Sequence, residues 1–341
     1  MRNFGHIKFL IGVSCFVSGL GQSVVCVPNS SVNSVKTIQN DERESTLRRI
    51  AKLKVSYISP ASGIVKDFRK EYLNDIRRFG VEIPKEAFVN KDICRFSDTD
   101  ANRFSQLERS INSDSDIVWA TRGGFGSYKL IDRLADLSQP KKKKILIGFS
   151  DITALNLYIS QNWKNWTVIH APMIVHVAAD RYHHESWSML LDILEHRVKQ
   201  YKIPGLSPLN HLNEGSKKIT GELTGGNLTM IESSLKTNWE IDTDNKILFI
   251  EDCNESAPSV YRSLYHLQAA GKLLKVKAIV FGEFLGVSEY GKYLKYFASE
   301  FNIPMFITNK FGHGKKNFPL VYGAKARIEN NSLIVDLSEK M

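Results

Sequence analysis

Short apolar runs alternate with longer stretches whose apolar residues recur at helical spacing through much of this 341-residue chain. Leu53-Lys54-Val55-Ser56-Tyr57-Ile58 alternates polar and apolar residues and stops at Pro60-Ala61-Ser62-Gly63, the pattern of a strand closed by a turn. A helical period follows over 65–79, Val81-Glu82-Ile83 reads as another strand piece, and 101–112 reads as a helix. Asp116-Ile117-Val118-Trp119-Ala120 and Lys144-Ile145-Leu146-Ile147 are compact enough for buried strands. Helical spacing follows each, over 129–137 and 153–159. This alternation predicts an α/β fold: a parallel sheet flanked by helices, Rossmann- or flavodoxin-like, over 53–203.

A strand-like run at 168–173 and a helix over 185–196 lead into a stretch with Pro204, Pro208 and Asn213, read as a linker over 204–217. A smaller C-terminal α/β domain is expected over 218–341. In it Gly225-Gly226 bends a strand into a helix, and 246–250 and 303–307 are buried strands.

The first residues have another character. Arg2 and Lys8 precede the apolar run Phe9-Leu10-Ile11-Gly12-Val13-Ser14-Cys15-Phe16-Val17, and small residues follow at Ser18, Gly19 and Gly21. A basic head, a short apolar core and a small-residue zone spell a signal peptide over 1–23. The apolar core is short for a bilayer span, and Val25 before Cys26 argues against a lipid anchor. Residues 24–52, rich in Ser, Asn and charge without a sustained period, read as a flexible leader. The expectation is an exported, periplasmic protein without stable membrane insertion, with a cytoplasmic location as the alternative.

Composition narrows the field. Hydrophobic content of 43% and charged content of 24% exclude wholesale disorder. The net charge of +10 raises the question of nucleic acid, yet Lys and Arg are spread along the chain. A solvated turn before a strand explains the one dense run, 141–144, so no nucleic-acid partner is expected; a basic surface suits anionic partners such as a polyanionic wall. The four cysteines form no C-x-x-C pair, and His183-His184 lacks a helical i, i+4 partner, so neither a metal nor another cofactor is expected.

Candidate chemistry sits at strand ends. Ser150 falls on the turn between the 144–147 strand and the following helix, where Gly148 permits a sharp bend. Its hydroxyl would stand over a helix N-terminus, and the Asp151 N–H could stabilise an oxyanion. Ser and Asp before an apolar helical run equally fit an N-cap, and the second glycine of a G-x-S-x-G elbow is missing. Arg122-Gly123-Gly124-Phe125-Gly126 follows a strand and opens a helix, but its G-G-x-G spacing departs from the dinucleotide fingerprint. It could instead supply oxyanion N–H groups from Gly123 and Gly124, or be a plain tight turn. Glu251 ends an apolar strand, and His313 lies between two glycines in Gly312-His313-Gly314. Each has a bland alternative, a surface carboxylate and a loop histidine. Together Ser150, Glu251 and His313 have the residue types of a nucleophile, an orienting acid and a base.

Five blocks in order resemble the LD-carboxypeptidases, the muramoyltetrapeptide carboxypeptidases that also include microcin-immunity peptidases. They are Arg122-Gly123-Gly124-Phe125-Gly126, Gly148-Phe149-Ser150-Asp151-Ile152-Thr153-Ala154-Leu155, Gly225-Gly226-Asn227-Leu228, Leu248-Phe249-Ile250-Glu251-Asp252 and Gly312-His313-Gly314. The resemblance runs from about residue 53 to 328. It implies a serine peptidase with Ser150 as nucleophile, Glu251 as orienting acid, His313 as base, and an oxyanion hole from Asp151 and the Gly123-Gly124 loop. It further implies a murein peptide substrate that loses a C-terminal D-alanine, and a homodimer. Phe125 stands where the family often has tyrosine, and Tyr261 where it often has an acid. Two rival readings are a related peptidase acting on another acyl peptide, such as a peptide–nucleotide antibiotic, and a non-catalytic protein that binds murein peptides. A lipase of the α/β-hydrolase type lacks support, since no lid-like apolar segment is present.

Overall fold

The structure, a computed structural model, describes residues 13–17, 24–64, 76–88, 94–177, 181–213 and 218–341, with side chains described from residue 40 onward. The expected signal peptide, the body of the helix expected over 65–79 and the end of the expected linker, 214–217, lie largely outside the described residues.

Among the described residues two large sheets carry most of the chain, beside a two-stranded antiparallel pair, Val13–Val17 with Val24–Pro28. The first has five strands. Four are parallel: β1 (Val55–Ile58), β2 (Ile117–Ala120), β3 (Lys144–Ile147) and β4 (Trp166–His170). Among the described residues they lie side by side in chain order, which the α/β alternation of the sequence permits. β2 is buried along its whole length, as a strand covered on both faces must be. Helices α2 (Asp100–Asn112), α3 (Thr153–Asn162) and α4 (His184–Leu194) belong to this half. Thr99 caps α2, its side chain accepting from the Asn102 N–H at 3.2 Å.

The second sheet has eight strands, in the order β5-β13-β12-β7-β8-β9-β10-β6. Its parallel centre is β7 (Ile219–Asn227), β8 (Lys246–Cys253), β9 (Ala278–Leu285) and β10 (Met305–Gly312). Helices α5 (Leu228–Ser233), α6 (Ala257–Ala269) and α7 (Tyr290–Glu300) connect these strands. The hairpin β12 (Lys325–Glu329) and β13 (Ser332–Asp336) adds antiparallel strands beside β7.

The sheets exchange strands across the expected division at 203 and 218. β5 (Gln200–Pro204) pairs with β13, and β6 (Ser207–Pro208) pairs with β10, so residues assigned to the first domain and to the linker complete the second sheet. That recruitment takes the C-terminal sheet from six strands to eight among the described residues. In the opposite direction, β11 (Leu320–Val321) leaves the C-terminal segment and pairs antiparallel with β4. Val81-Glu82-Ile83, expected as a strand, pairs with no strand among the described residues and leads into the 3₁₀ turn Lys85–Ala87.

The flexible leader expected over 24–52 is also corrected. Its greater part folds as helix α1 (Asn29–Ile50), which packs on α4. Arg43, Thr46, Leu47 and Ile50 are buried at helical spacing. Arg49 donates to Asp192 at 2.7 Å and to Glu195 at 2.9 Å, and Thr46 shares a hydrogen bond with Tyr182 at 2.9 Å. The buried face mixes Arg and Thr with Leu and Ile, so apolar spacing alone hides it.

Leu47→Ala is therefore expected to lower the unfolding free energy by about 2–5 kcal/mol, the range for emptying a fully buried leucine site. Urea titration measures this; an unchanged midpoint would show that α1 adds nothing to the core.

Candidate active site

The nucleophile candidate sits on a strained turn. Ser150 follows β3 by three residues and has φ 64, a left-handed angle that a non-glycine residue adopts at a cost of order 1–3 kcal/mol. The chain then enters the 3₁₀ turn Ser150–Ile152 and continues as α3. Gly148 lets the turn close: a Cβ there would lie 2.7 Å from Ile152 Cγ2.

His313 arrives from the other sheet, at the end of β10. Its Nε2 lies 2.9 Å from Ser150 Oγ, and its Nδ1 lies 2.5 Å from Glu251 Oε2. A carboxylate oxygen accepts, so Nδ1 carries the proton and Nε2 presents a lone pair to the serine hydroxyl. Glu251, on β8, is wholly buried, and its Oε1 has no hydrogen-bond partner among the described residues. The loop that carries His313 must come very close to β9. A Cβ at Gly312 would lie 2.8 Å from the Glu283 carbonyl oxygen, and one at Gly314 would collide with the Glu283 carboxylate. Burial pushes the His313 pKa down, but the Glu251 charge, with contributions from Cys253, outweighs it and raises the value to about 10.

The glycine loop faces the serine. A Cβ at Gly123 would lie 3.0 Å from Ser150 Cβ and 3.1 Å from its Oγ. Gly124 has φ +103, where a side chain would drive into Ser62. The N–H of Asp151 opens the turn after the nucleophile, a position whose N–H groups lack intrahelical acceptors. Gly124 lines both cavities that reach Ser150, Gly123 one of them and Asp151 the other.

Sequence reasoning missed what holds them there. The Asp151 carboxylate accepts from the N–H groups of Gly126 at 3.1 Å and Ser127 at 2.8 Å, and Ser127 Oγ donates back to the Asp151 carbonyl at 2.6 Å. Arg103, buried on α2, donates to the carbonyls of Gly126, at 2.9 Å, and Pro60. A carboxylate directly after a nucleophile and before a glycine-loop helix was the available signal. The Asp252 carboxylate, beside Glu251, serves a different purpose: it accepts from Asn227 Nδ2 at 2.8 Å and from the N–H of Thr229 at 2.9 Å, capping α5.

Phe149 packs under the site, its ring centroid 4.9 Å from that of His313, 5.0 Å from His176 and 5.5 Å from His170. His170 is wholly buried, and among the described residues neither ring nitrogen has a hydrogen-bond partner. Burial, helped by the charge on His313, lowers its pKa to about 3, so the ring is neutral. The His183-His184 pair packs within the protein: His183 Nδ1 accepts from the Ser186 N–H at the start of α4, its ring centroid lies 6.0 Å from that of Phe318, and His184 Nδ1 lies 3.7 Å from Glu42 Oε2. Among the described residues no cluster of three or more His, Cys, Asp or Glu is placed to hold a metal ion. No described helix is long and apolar enough to cross a membrane.

Two cavities meet at Ser150. One, of about 470 Å³, runs along Phe125, Tyr128, Met230, Trp239, Asp252 and Glu255. The other, of about 350 Å³, is bordered by Gly123, Phe149, His313, Arg122 and Arg181.

Comparison with known proteins matches the chain in two parts. The LD-carboxypeptidase N-terminal domain matches residues 55–171 and the LD-carboxypeptidase C-terminal domain matches 220–328. A Rickettsia conorii protein bearing a carboxypeptidase name is 38% identical over 278 residues, 81% of this chain and 88% of its own. The murein tetrapeptide carboxypeptidase of Pseudomonas aeruginosa is 27% identical over 304 residues, 82% of this chain and 94% of its own. Among solved structures, a muramoyltetrapeptide carboxypeptidase from Oxalobacter formigenes is alike in fold, with TM-score 0.66 and 24% identity over 83% of this chain and 97% of its own. The microcin C7 self-immunity protein MccF has TM-score 0.69 and 20% identity over 84% of this chain and 96% of its own.

Two outcomes follow from this geometry. If His313 works as a base it must be neutral, so kcat/KM should rise with pH along a limb lying above the ~6.5 of a free imidazole. Glu251→Gln should move that limb down toward ~6.5, because the raising charge is gone; a limb that stays in place would show that the carboxylate does not govern the imidazole. Asp151→Asn places an amide NH₂ against one of the two N–H donors, and should destabilise the loop by about 1–3 kcal/mol. Thermal unfolding together with turnover measures this, and wild-type values in both would remove the carboxylate from its anchoring role.

Proposed function

This chain belongs to the LD-carboxypeptidase family and is a serine-type carboxypeptidase; we propose that its substrate is a murein tetrapeptide, from which it releases the C-terminal D-alanine through an acyl-enzyme. One observation carries the mechanism, the unbroken hydrogen-bond chain Ser150–His313–Glu251 at 2.9 and 2.5 Å. The name of the Pseudomonas relative supports the substrate class.

In this reading Ser150 Oγ attacks the amide carbonyl before the terminal residue, and its proton passes to His313 Nε2. Negative charge collects on the carbonyl oxygen, where the N–H groups of Asp151 and the Gly123-Gly124 loop stabilise it. The tetrahedral species collapses as His313 returns the proton to the leaving amine, and D-alanine departs. Water then attacks the acyl carbon, giving its proton to the same imidazole, and Ser150 is released with that proton. Glu251 keeps the ring in the productive tautomer and stabilises the imidazolium formed at each step.

We further propose that the protein acts outside the cytoplasm, on the strength of the basic head and apolar core in residues 1–23. Fractionation of cells producing the full chain tests this, and activity confined to the cytoplasm would discard it.

Mass analysis of digests of purified murein tetrapeptide should find free D-alanine and the shortened tripeptide. Ser150→Ala should lower the rate at least about a thousandfold, since such groups act as a unit. Undiminished release by that variant would remove Ser150 from the chemistry. An adenylated peptide serves as the parallel substrate; faster turnover of it than of the tetrapeptide would replace the murein assignment.

A further inference from the structure

The smaller cavity beside Ser150 gathers positive charge, and among the described residues no carboxylate lines it. Arg122 and Arg181 both border it, together with Ser150 and His313. Arg122 is half-buried and spends one N–H on the Gly63 carbonyl, at 2.7 Å. A guanidinium has five N–H donors in a fork that matches a carboxylate. Among the described residues no carboxylate forms an ion pair with Arg122 or Arg181. Withdrawing a cation from water is costly unless something pairs with it, and the nearby charges of Arg95 and Arg181 add repulsion. Burial and those two charges accordingly lower the Arg122 pKa. The other cavity has the opposite character, with Asp252 and Glu255 among aromatic side chains.

We propose that Arg122 and Arg181 receive the free α-carboxylate of the residue that is cleaved off, so that the 350 Å³ cavity holds the leaving group and the aromatic, acidic cavity holds the acyl portion. The inference rests on the carboxypeptidase reading above and adds the direction in which the peptide lies. Covalent geometry supports it. The carboxylate carbon of a terminal residue lies only about 2.5 Å from the scissile nitrogen, across N–Cα and Cα–C. Its binding group must therefore stand within one side chain's reach of the nucleophile. Arg122 meets this condition, because it directly precedes Gly123, whose missing Cβ would touch Ser150 Oγ at 3.1 Å. The same charge explains selection for chain ends: a peptide continuing past the scissile bond presents a neutral amide where the arginines await an anion.

The test compares a murein tetrapeptide with the same peptide ending in D-alaninamide. The free acid should be favoured by about 10- to 100-fold in kcat/KM, chiefly through KM, as expected for a charge-assisted bidentate contact. Arg122→Gln should reduce that acid-to-amide ratio toward one. Arg181→Gln, at an exposed position, should reduce it in the same direction without endangering the fold. A second readout avoids turnover: calorimetric binding of the tetrapeptide to Ser150→Ala should weaken when Arg122→Gln is added, while binding of the amide should not. Equal rates on acid and amide in the native enzyme, or an unchanged ratio in both arginine variants, would overturn the clamp and leave the peptidase reading standing. Absence of D-alanine release from either peptide by the native enzyme would instead strike at the peptidase reading itself.

Discussion

The meeting of β7 with α3 governs everything at the site, because the nucleophile and the base come from different sheets. Asn227 N–H donates to Thr153 Oγ1 at 3.1 Å, directly above the turn that carries Ser150. Gly226, with φ +133, makes this approach possible: a Cβ there would lie 2.5 Å from Thr153 Cγ2. Gly225, beside it, would collide with the Phe249 carbonyl if it had a side chain, and its own carbonyl accepts from Tyr322 OH at 2.9 Å. With any larger residue the sheets would stand further apart. A 2.9 Å contact between His313 and Ser150 tolerates little such displacement, since a hydrogen bond is lost within a few tenths of an ångström beyond its range.

A second constraint is local. Ser150 holds an unfavourable backbone angle, and strained residues persist only where surrounding structure over-determines them. Here the surroundings are the Asp151 carboxylate bound to the glycine loop, and Arg103 bound to that loop's carbonyls. Strain at the nucleophile and rigidity of the oxyanion loop thus share the same few side chains. The neutral His170 and the Phe149 ring beneath add packing without charge, which leaves Glu251 as the main carboxylate acting on the imidazole.

Much of this was legible in the residues. Short apolar runs over 145–147, 247–250 and 303–307, leading toward Gly148, Glu251 and Gly312, marked buried strands, whose carboxyl ends are where α/β proteins place chemistry. The triad candidates were readable for that reason, and the structure sets them within hydrogen-bonding distance. Illegible were features with no period of their own. Two-residue strands such as Leu320–Val321 and Ser207–Pro208 are too short to display alternation. The Asp151 tie and the Arg103 bridge join residues about 25 positions apart, beyond any local spacing rule. Helix α1 escaped because Arg43 and Thr46 share its buried face with Leu47 and Ile50.

The exchange of strands between the sheets bears on how the molecule can move and evolve. The backbone crosses the seam after β4, again into β11, and back through Gly323, whose N–H donates to the Leu223 carbonyl at 2.7 Å. Neither lobe is a detachable cassette, because excising one strips a paired strand from the other. A wide clamshell opening about a single hinge would have to break β-ladder hydrogen bonds as well as side-chain contacts. The architecture instead favours a permanently assembled catalytic groove, into which a slender peptide threads, over jaws that close around a bulky one.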